Sequence, residues 1–210
     1  MNAAPDDKGL LDWSDMPREK EKEVINKYSE EELNALLAVS DEDEADLIHS
    51  FLRTGCRDEE IVYLHWTDIK FARQEIKVSD KPQFDWKVKD RESRIIPAED
   101  VLLKRLASRK KRYPDSQLVF PNSLGGPDHH LIRRLRKVFT KAVQKSSSFD
   151  GEVNLHRFRR TYASMMIAHS DLQTVSELLG HEDIETTVGY LAPDRTKAIR
   201  ATKSAFKAIK

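Results

Sequence analysis

Leu155-His156-Arg157-Phe158-Arg159-Arg160-Thr161-Tyr162-Ala163 is the stretch that decides how this chain is read. At helical spacing His156 and Arg159 stand at i and i+3 and share one face, so an imidazole and a guanidinium are presented together. Such pairs are common on ordinary helices, and this one gains its meaning from three further patterns. Upstream, Thr54-Gly55-Cys56-Arg57 is followed by Glu60 and by Leu64-His65-Trp66-Thr67-Asp68-Ile69. Downstream, Leu178-Leu179-Gly180-His181 is followed by Thr186-Thr187 and by Tyr190. Between them, Lys89 lies five residues before Arg94 and eight before Pro97.

Working outward, helices surround these motifs. Ser29 with Glu32 makes a capping box for a helix to about Val39. The residues from Asp41 to Asp43 open a second helix, with Leu47, Ile48, Phe51 and Leu52 at helical spacing. Arg57 falls in a turn before a short helix through Ile61 and Leu64. After Asp68 the texture changes, and residues 75–78, 84–88 and 94–96 have strand character. We expect from them a small antiparallel sheet of three strands, closed by Pro97. Basic helices follow over residues 99–112 and 131–143, separated by the turn at Gly125-Gly126-Pro127, and Ser146-Ser147-Ser148 marks a loop. From Leu155 on, helices are expected, with breaks near Ser170, Gly180 and Pro193. The fold class is therefore mainly α with one small sheet. Residues 1–28 read as an acidic tail or linker, and 29–210 as one domain.

The 210 residues carry no net charge, but the balance is uneven along the chain. Residues 1–50 hold five Lys and Arg against fifteen Asp and Glu, whereas residues 87–145 hold sixteen against six. A basic middle of this kind can contact phosphates whatever the total, and a flexible acidic tail can compete with DNA for the same groove. No run of apolar residues is long enough for a membrane helix, and no signal peptide is evident. The single Cys56 makes no intramolecular disulfide, in keeping with a reducing, cytoplasmic setting. Beside Arg57 it reads as a small packing residue in preference to a redox switch, and Phe84 and Trp86 read as packing aromatics in preference to stacking on bases or sugars.

In this order the four patterns resemble those of the tyrosine site-specific recombinases (phage-integrase family), over roughly residues 28–210. The resemblance implies the DNA breaking-rejoining catalytic-domain fold and a catalytic set of Arg57, Lys89, His156, Arg159, His181 and Tyr190. Arg57 and Arg159, with His181 as a third donor, would stabilise charge on the non-bridging oxygens of a phosphodiester under attack. The Tyr190 hydroxyl, whose ordinary pKa is about 10, would attack with His156 as base. Lys89, its pKa lowered by nearby arginines, would protonate the leaving 5′ oxygen. A 3′-phosphotyrosine retains the phosphoester energy, so no cofactor, ATP or metal is called for. The implied partner is double-stranded DNA, bound as a homo-tetramer of chains that are monomeric in isolation. Members of the family dock their last helix onto a neighbouring subunit, and residues 195–210 carry an apolar stripe suited to that.

The sequence also departs from the family pattern. Asp90-Arg91-Glu92-Ser93 lacks the glycine common in relatives, and residues 79–86 lengthen the preceding connection. Lys87 is therefore a rival to Lys89, two residues away on the same strand face. Nothing in the chain matches the family's N-terminal DNA-clamping domain. Relaxation of supercoils, as in type IB topoisomerases, is a variant of the same chemistry. A catalytically silent DNA-binding or accessory protein on this fold is the alternative from another class, and a helical protein-interaction domain the plainest one.

Overall fold

The computed structural model describes residues 26–89, 93–145 and 154–180. Helix α1 (Glu30–Val39) starts at a reciprocal cap in which Glu32 N–H donates to Ser29 Oγ and Ser29 N–H to Glu32 Oε2. Asp41 and Glu44 repeat the device at α2 (Glu42–Thr54), which ends on Gly55 in the left-handed region, φ 62°. A five-residue α3 (Asp58–Val62) follows. Three antiparallel strands come next in the order β1 (Ile69–Lys70), β2 (Glu75–Val78) and β3 (Arg94–Pro97). The chain then runs through α4 (Asp100–Arg112), α5 (Leu131–Lys145), α6 (Leu155–Ile167) and α7 (Leu172–Leu179). Asn154 caps α6 by accepting from His156 N–H, and Asp171 caps α7 by accepting from Thr174 N–H.

Helix α2 is the hub, packing on α3, α4, α5 and α6. Its Phe51 stacks on Phe158 of α6, with ring centroids 6.0 Å apart, and Tyr28 meets the same ring at 4.6 Å. Tyr28, which the sequence reading put at the end of the acidic tail, is only 3% exposed and belongs to this core. The reason lies in Arg157 of α6. Its guanidinium sits 4.2 Å over the Tyr28 ring and donates to Glu32 at 2.7 Å and to the carbonyl of Lys27 at 3.1 Å, so it draws the entering chain onto α6. A smaller apolar cluster of Tyr162, Ala163, Val175 and Leu179 joins α6 to α7.

The sheet has the expected size but not the expected members. Residues 84–88 do not form a strand. Pro82 opens a 3-10 turn (Pro82–Phe84), and Asp85 at φ 50° reverses the chain, leaving a single bridge between Lys81 and Trp86. Proline lacks the N–H that a ladder needs, and the left-handed residue breaks the pleat. The third strand is instead the two-residue β1, whose Ile69 pairs with Ile76. On the buried face Ile69, Ile76, Val78 and Ile96 point inward, and so does Arg94, opposite Val78. Among the described residues, no helix is long and apolar enough to cross a membrane. The expected helix in residues 195–210 lies outside the described residues.

Candidate active site

Arg57 is set by a glycine-dependent turn followed by a helix cap. Gly55 ends α2 where a methyl group would overlap the Tyr162 ring, so α2 and α6 approach more closely than any other residue allows. Two residues on, Arg57 is the N-cap of α3, and Glu60 accepts from its backbone N–H at 2.8 Å. The Arg57 side chain remains 19% exposed and donates from Nη2 to the carbonyl of Gly180 at 3.3 Å. Arg159 comes from α6. It is 1% exposed and donates to the carbonyl of Gly55 and to that of Leu179, both at 2.6 Å.

One cleft of about 480 Å³ gathers Arg57, Lys89, His156 and Arg159. It lies at the first turn of α6, where Asn154, Leu155 and His156 form part of the wall and the helix N-terminus favours an anion. His156 is solvent-exposed, yet partial desolvation, then the charges of Arg159, Arg160 and Arg57, hold its imidazole below the ordinary histidine value. It is therefore neutral near pH 7 and able to accept a proton. Lys89 is exposed on the connection between β2 and β3; Lys87, also exposed, does not line the cleft. His181 and Tyr190 lie outside the described residues. Among the described residues, no group of three or more His, Cys, Asp or Glu side chains is arranged to hold a metal ion.

Two neighbours of the motifs behave as packing residues. Cys56 is 2% exposed, and burial followed by the Glu60 carboxylate pushes its thiol up to about 12, so it stays protonated. Trp86 stacks on Tyr63 with centroids 5.0 Å apart and donates its indole N–H to Glu59 at 3.0 Å, fastening the hairpin to α3.

In the sequence Arg94 marks only the position of Lys89, five residues before it. In the fold its guanidinium grips Glu60 at 2.8 and 2.7 Å. Burial alone would raise the Glu60 carboxyl, but the Arg94 pair outweighs it and holds the group below its usual range. Breaking a buried pair of this kind costs about 3–5 kcal/mol, because the remaining charge is left uncompensated. His129, on the cleft wall with its ring edge against Tyr63, was not anticipated either. The single local signal for Arg94 was a charge at an inward strand position, and His129 had none.

A family model described as the phage integrase family matches residues 26–197. Tyrosine recombinase XerC of Oceanobacillus iheyensis is 32% identical over 170 residues, which cover 77% of this chain and 54% of that protein. A probable integrase/recombinase of Acholeplasma phage L2 is 25% identical over 157 residues, 74% of this chain and 51% of the other. The chain thus spans about half the length of these relatives. Among solved structures, the XerA recombinase crystal structure aligns with a TM-score of 0.69 at 20% identity, covering 92% of this chain and 68% of that one. The Tn1549 transposon integrase in complex with transposon right end DNA aligns with a TM-score of 0.70 at 19% identity, covering 94% and 71%.

Proposed function

The chain belongs to the phage integrase family, and from that membership we propose that residues 29–210 cut and rejoin duplex DNA as a tyrosine recombinase catalytic domain. The observation that carries this reading is the convergence of Arg57 and Arg159, from two separate elements, with His156 and Lys89 on one cleft. A phosphodiester under attack accumulates negative charge on its two non-bridging oxygens. Two guanidiniums already fixed by backbone carbonyls meet that charge with little reorganisation, which is where electrostatic catalysis gains most.

His156, held neutral, takes the proton of the Tyr190 hydroxyl. The tyrosine oxygen forms its bond to phosphorus as the bond to the 5′ oxygen breaks, and Lys89 supplies the proton that oxygen needs. His181 adds a donor to the same phosphate. Rejoining runs the steps in reverse, with a 5′ hydroxyl as nucleophile, and needs neither ATP nor metal. Four copies assemble on two duplexes for strand exchange, in the cytoplasm, with the residues ahead of Lys27 as an acidic tail.

The test is a covalent trap. The full chain is incubated with genomic and phage DNA, adducts are captured under denaturing conditions, and the attached ends are sequenced. A nicked duplex carrying the recovered site should then give an adduct with the natural chain and none with Tyr190→Phe. Duplex affinity should stay within about twofold, since phosphate neutralisation supplies most of it. An adduct that persists in Tyr190→Phe would sink the nucleophile assignment, and failure of the natural chain to form any would favour a silent DNA-binding protein.

A further inference from the structure

Three arginines from three elements donate to three consecutive carbonyls at the end of α7. Arg94 of β3 gives its Nε to Leu178 at 2.8 Å, Arg159 of α6 its Nη2 to Leu179 at 2.6 Å, and Arg57 its Nη2 to Gly180 at 3.3 Å. The last turn of a helix leaves such carbonyls without intrahelical partners and carries partial negative charge, so guanidiniums suit it. The other nitrogens of Arg94 hold both oxygens of Glu60, whose Oε2 in turn accepts the backbone N–H of Arg57. Gly180 leaves room for the contact, since a Cβ there would come within 3.0 Å of Arg94 Nη1 and 3.1 Å of its Cδ.

Arg94 is buried and does not line the cleft. We propose that it is a positioning residue, which fixes Arg57 through Glu60 and at the same time fixes the C-terminal end of α7. The next residue in the chain, His181, lies outside the described residues. The proposal rests on the reading of the cleft given above. A planar guanidinium serves both tasks because its fork matches a carboxylate while Nε points elsewhere; an ammonium has the charge but not the directions. Arg94 begins the strand that follows the Lys89 connection, so the hairpin, Arg57 and the end of α7 share one anchor.

The test compares single-turnover cleavage by the full chain on the duplex recovered from the covalent trap. Arg94→Lys keeps the charge and loses the fork. Glu60→Gln with Arg94→Met removes both charges together, so no unpaired charge is left buried and the chain is expected to fold with a cooperative thermal transition. Misplacing a reacting group by about 1 Å costs about 100-fold in rate, so the double variant should cleave about 100-fold more slowly and Arg94→Lys about tenfold. Duplex affinity should change by less than about threefold, which puts the loss in kcat and not in KM. A readout independent of cleavage is the set of guanidinium nitrogen NMR signals of Arg57 and Arg159. Resolved Nη signals in the natural chain should merge for Arg57 in both variants.

Variants that cleave within about threefold of the natural rate per folded molecule, with Arg57 signals unchanged, would overturn the proposal, because misplacement predicts a far larger loss. Full rescue by Arg94→Lys would also overturn it, since charge alone would then suffice. If the natural chain forms no adduct but the Arg57 signals still respond, the reading of the cleft fails while the link from Arg94 to Arg57 is supported.

Discussion

His49 accepts a hydrogen bond on Nδ1 from Arg53 Nε at 3.0 Å, which it can do only as neutral imidazole. Burial, and then the charges of Arg105 and Arg53, push this histidine down to about 4 from an ordinary 6.5. Below the ordinary value the unfolded chain therefore binds a proton that the folded chain excludes. The contribution to stability is complete above about 6.5 and is lost progressively as pH falls toward 4. His156, also lowered, acts with the same sign. The melting temperature of the natural chain should fall between pH 7 and pH 5, and His49→Gln should remove part of that fall while keeping an acceptor for Arg53. Equal slopes in thermal melts of the two proteins would refute the assignment. The same attention to single residues separates Arg157 from Arg159, two positions apart in one motif. The first faces α1 and is paired with Glu32, so its work is structural, whereas the second lines the cleft.

At the scale of elements, the site depends on how closely α2 and α6 approach at Gly55. Its φ of 62° favours glycine, and an added methyl group would overlap Tyr162. Gly55→Ala should cost about 2–4 kcal/mol, from roughly 1 kcal/mol of backbone strain and about 1–3 kcal/mol of overpacking. Urea denaturation measures it, and a loss below about 1 kcal/mol would mean that the Tyr162 ring moves aside freely. The cap of Ser29 with Glu32 is local and legible in the sequence, as is the helix start at Asp41 to Asp43, whose reciprocal partner Glu44 the structure adds. The alternation Phe84, Trp86, Val88 looked like a strand for an equally local reason. In the fold those aromatics answer instead to Tyr63, with Phe84 at 5.5 Å and Trp86 at 5.0 Å. Arg94 was illegible as a member of the site because its partners, Glu60 and Leu178, lie 34 and 84 residues away. Arg57, His156 and Arg159 stood out through motif spacing, which reports on such distant contacts indirectly.

For the whole molecule, the charge imbalance along the sequence is partly settled inside the fold. Arg105, Arg109 and Arg112 of α4 face Asp43 and Asp46 of α2, with Arg109 to Asp43 at 2.7 Å and Arg105 to Asp46 at 2.9 Å, and Arg112 also pairs with Glu42. This part of the basic middle holds α4 on α2 and is not available to DNA. Facing solvent are Lys104, Lys110 and Lys111 of α4 and the outer side of α5, with Arg133, Arg136, Lys137, Lys141 and Lys145 all exposed. Leu131 and Ile132, at the start of that helix, line the cleft, so its basic face runs outward from the proposed phosphate position. Duplex binding should therefore fall steeply with salt. If about five or six phosphates are engaged at roughly 0.9 each, log K against log salt should slope near −5. Replacing Arg136 and Lys137 together by Gln should flatten that slope by about 2, one counterion for each lost contact. Arg112→Gln should leave the slope alone and lower stability instead. Fluorescence anisotropy titrations on a duplex at several salt concentrations give the slopes directly. A slope unchanged by the α5 substitutions would mean that this face is only solvated surface, and the phosphates would have to be met elsewhere on the molecule.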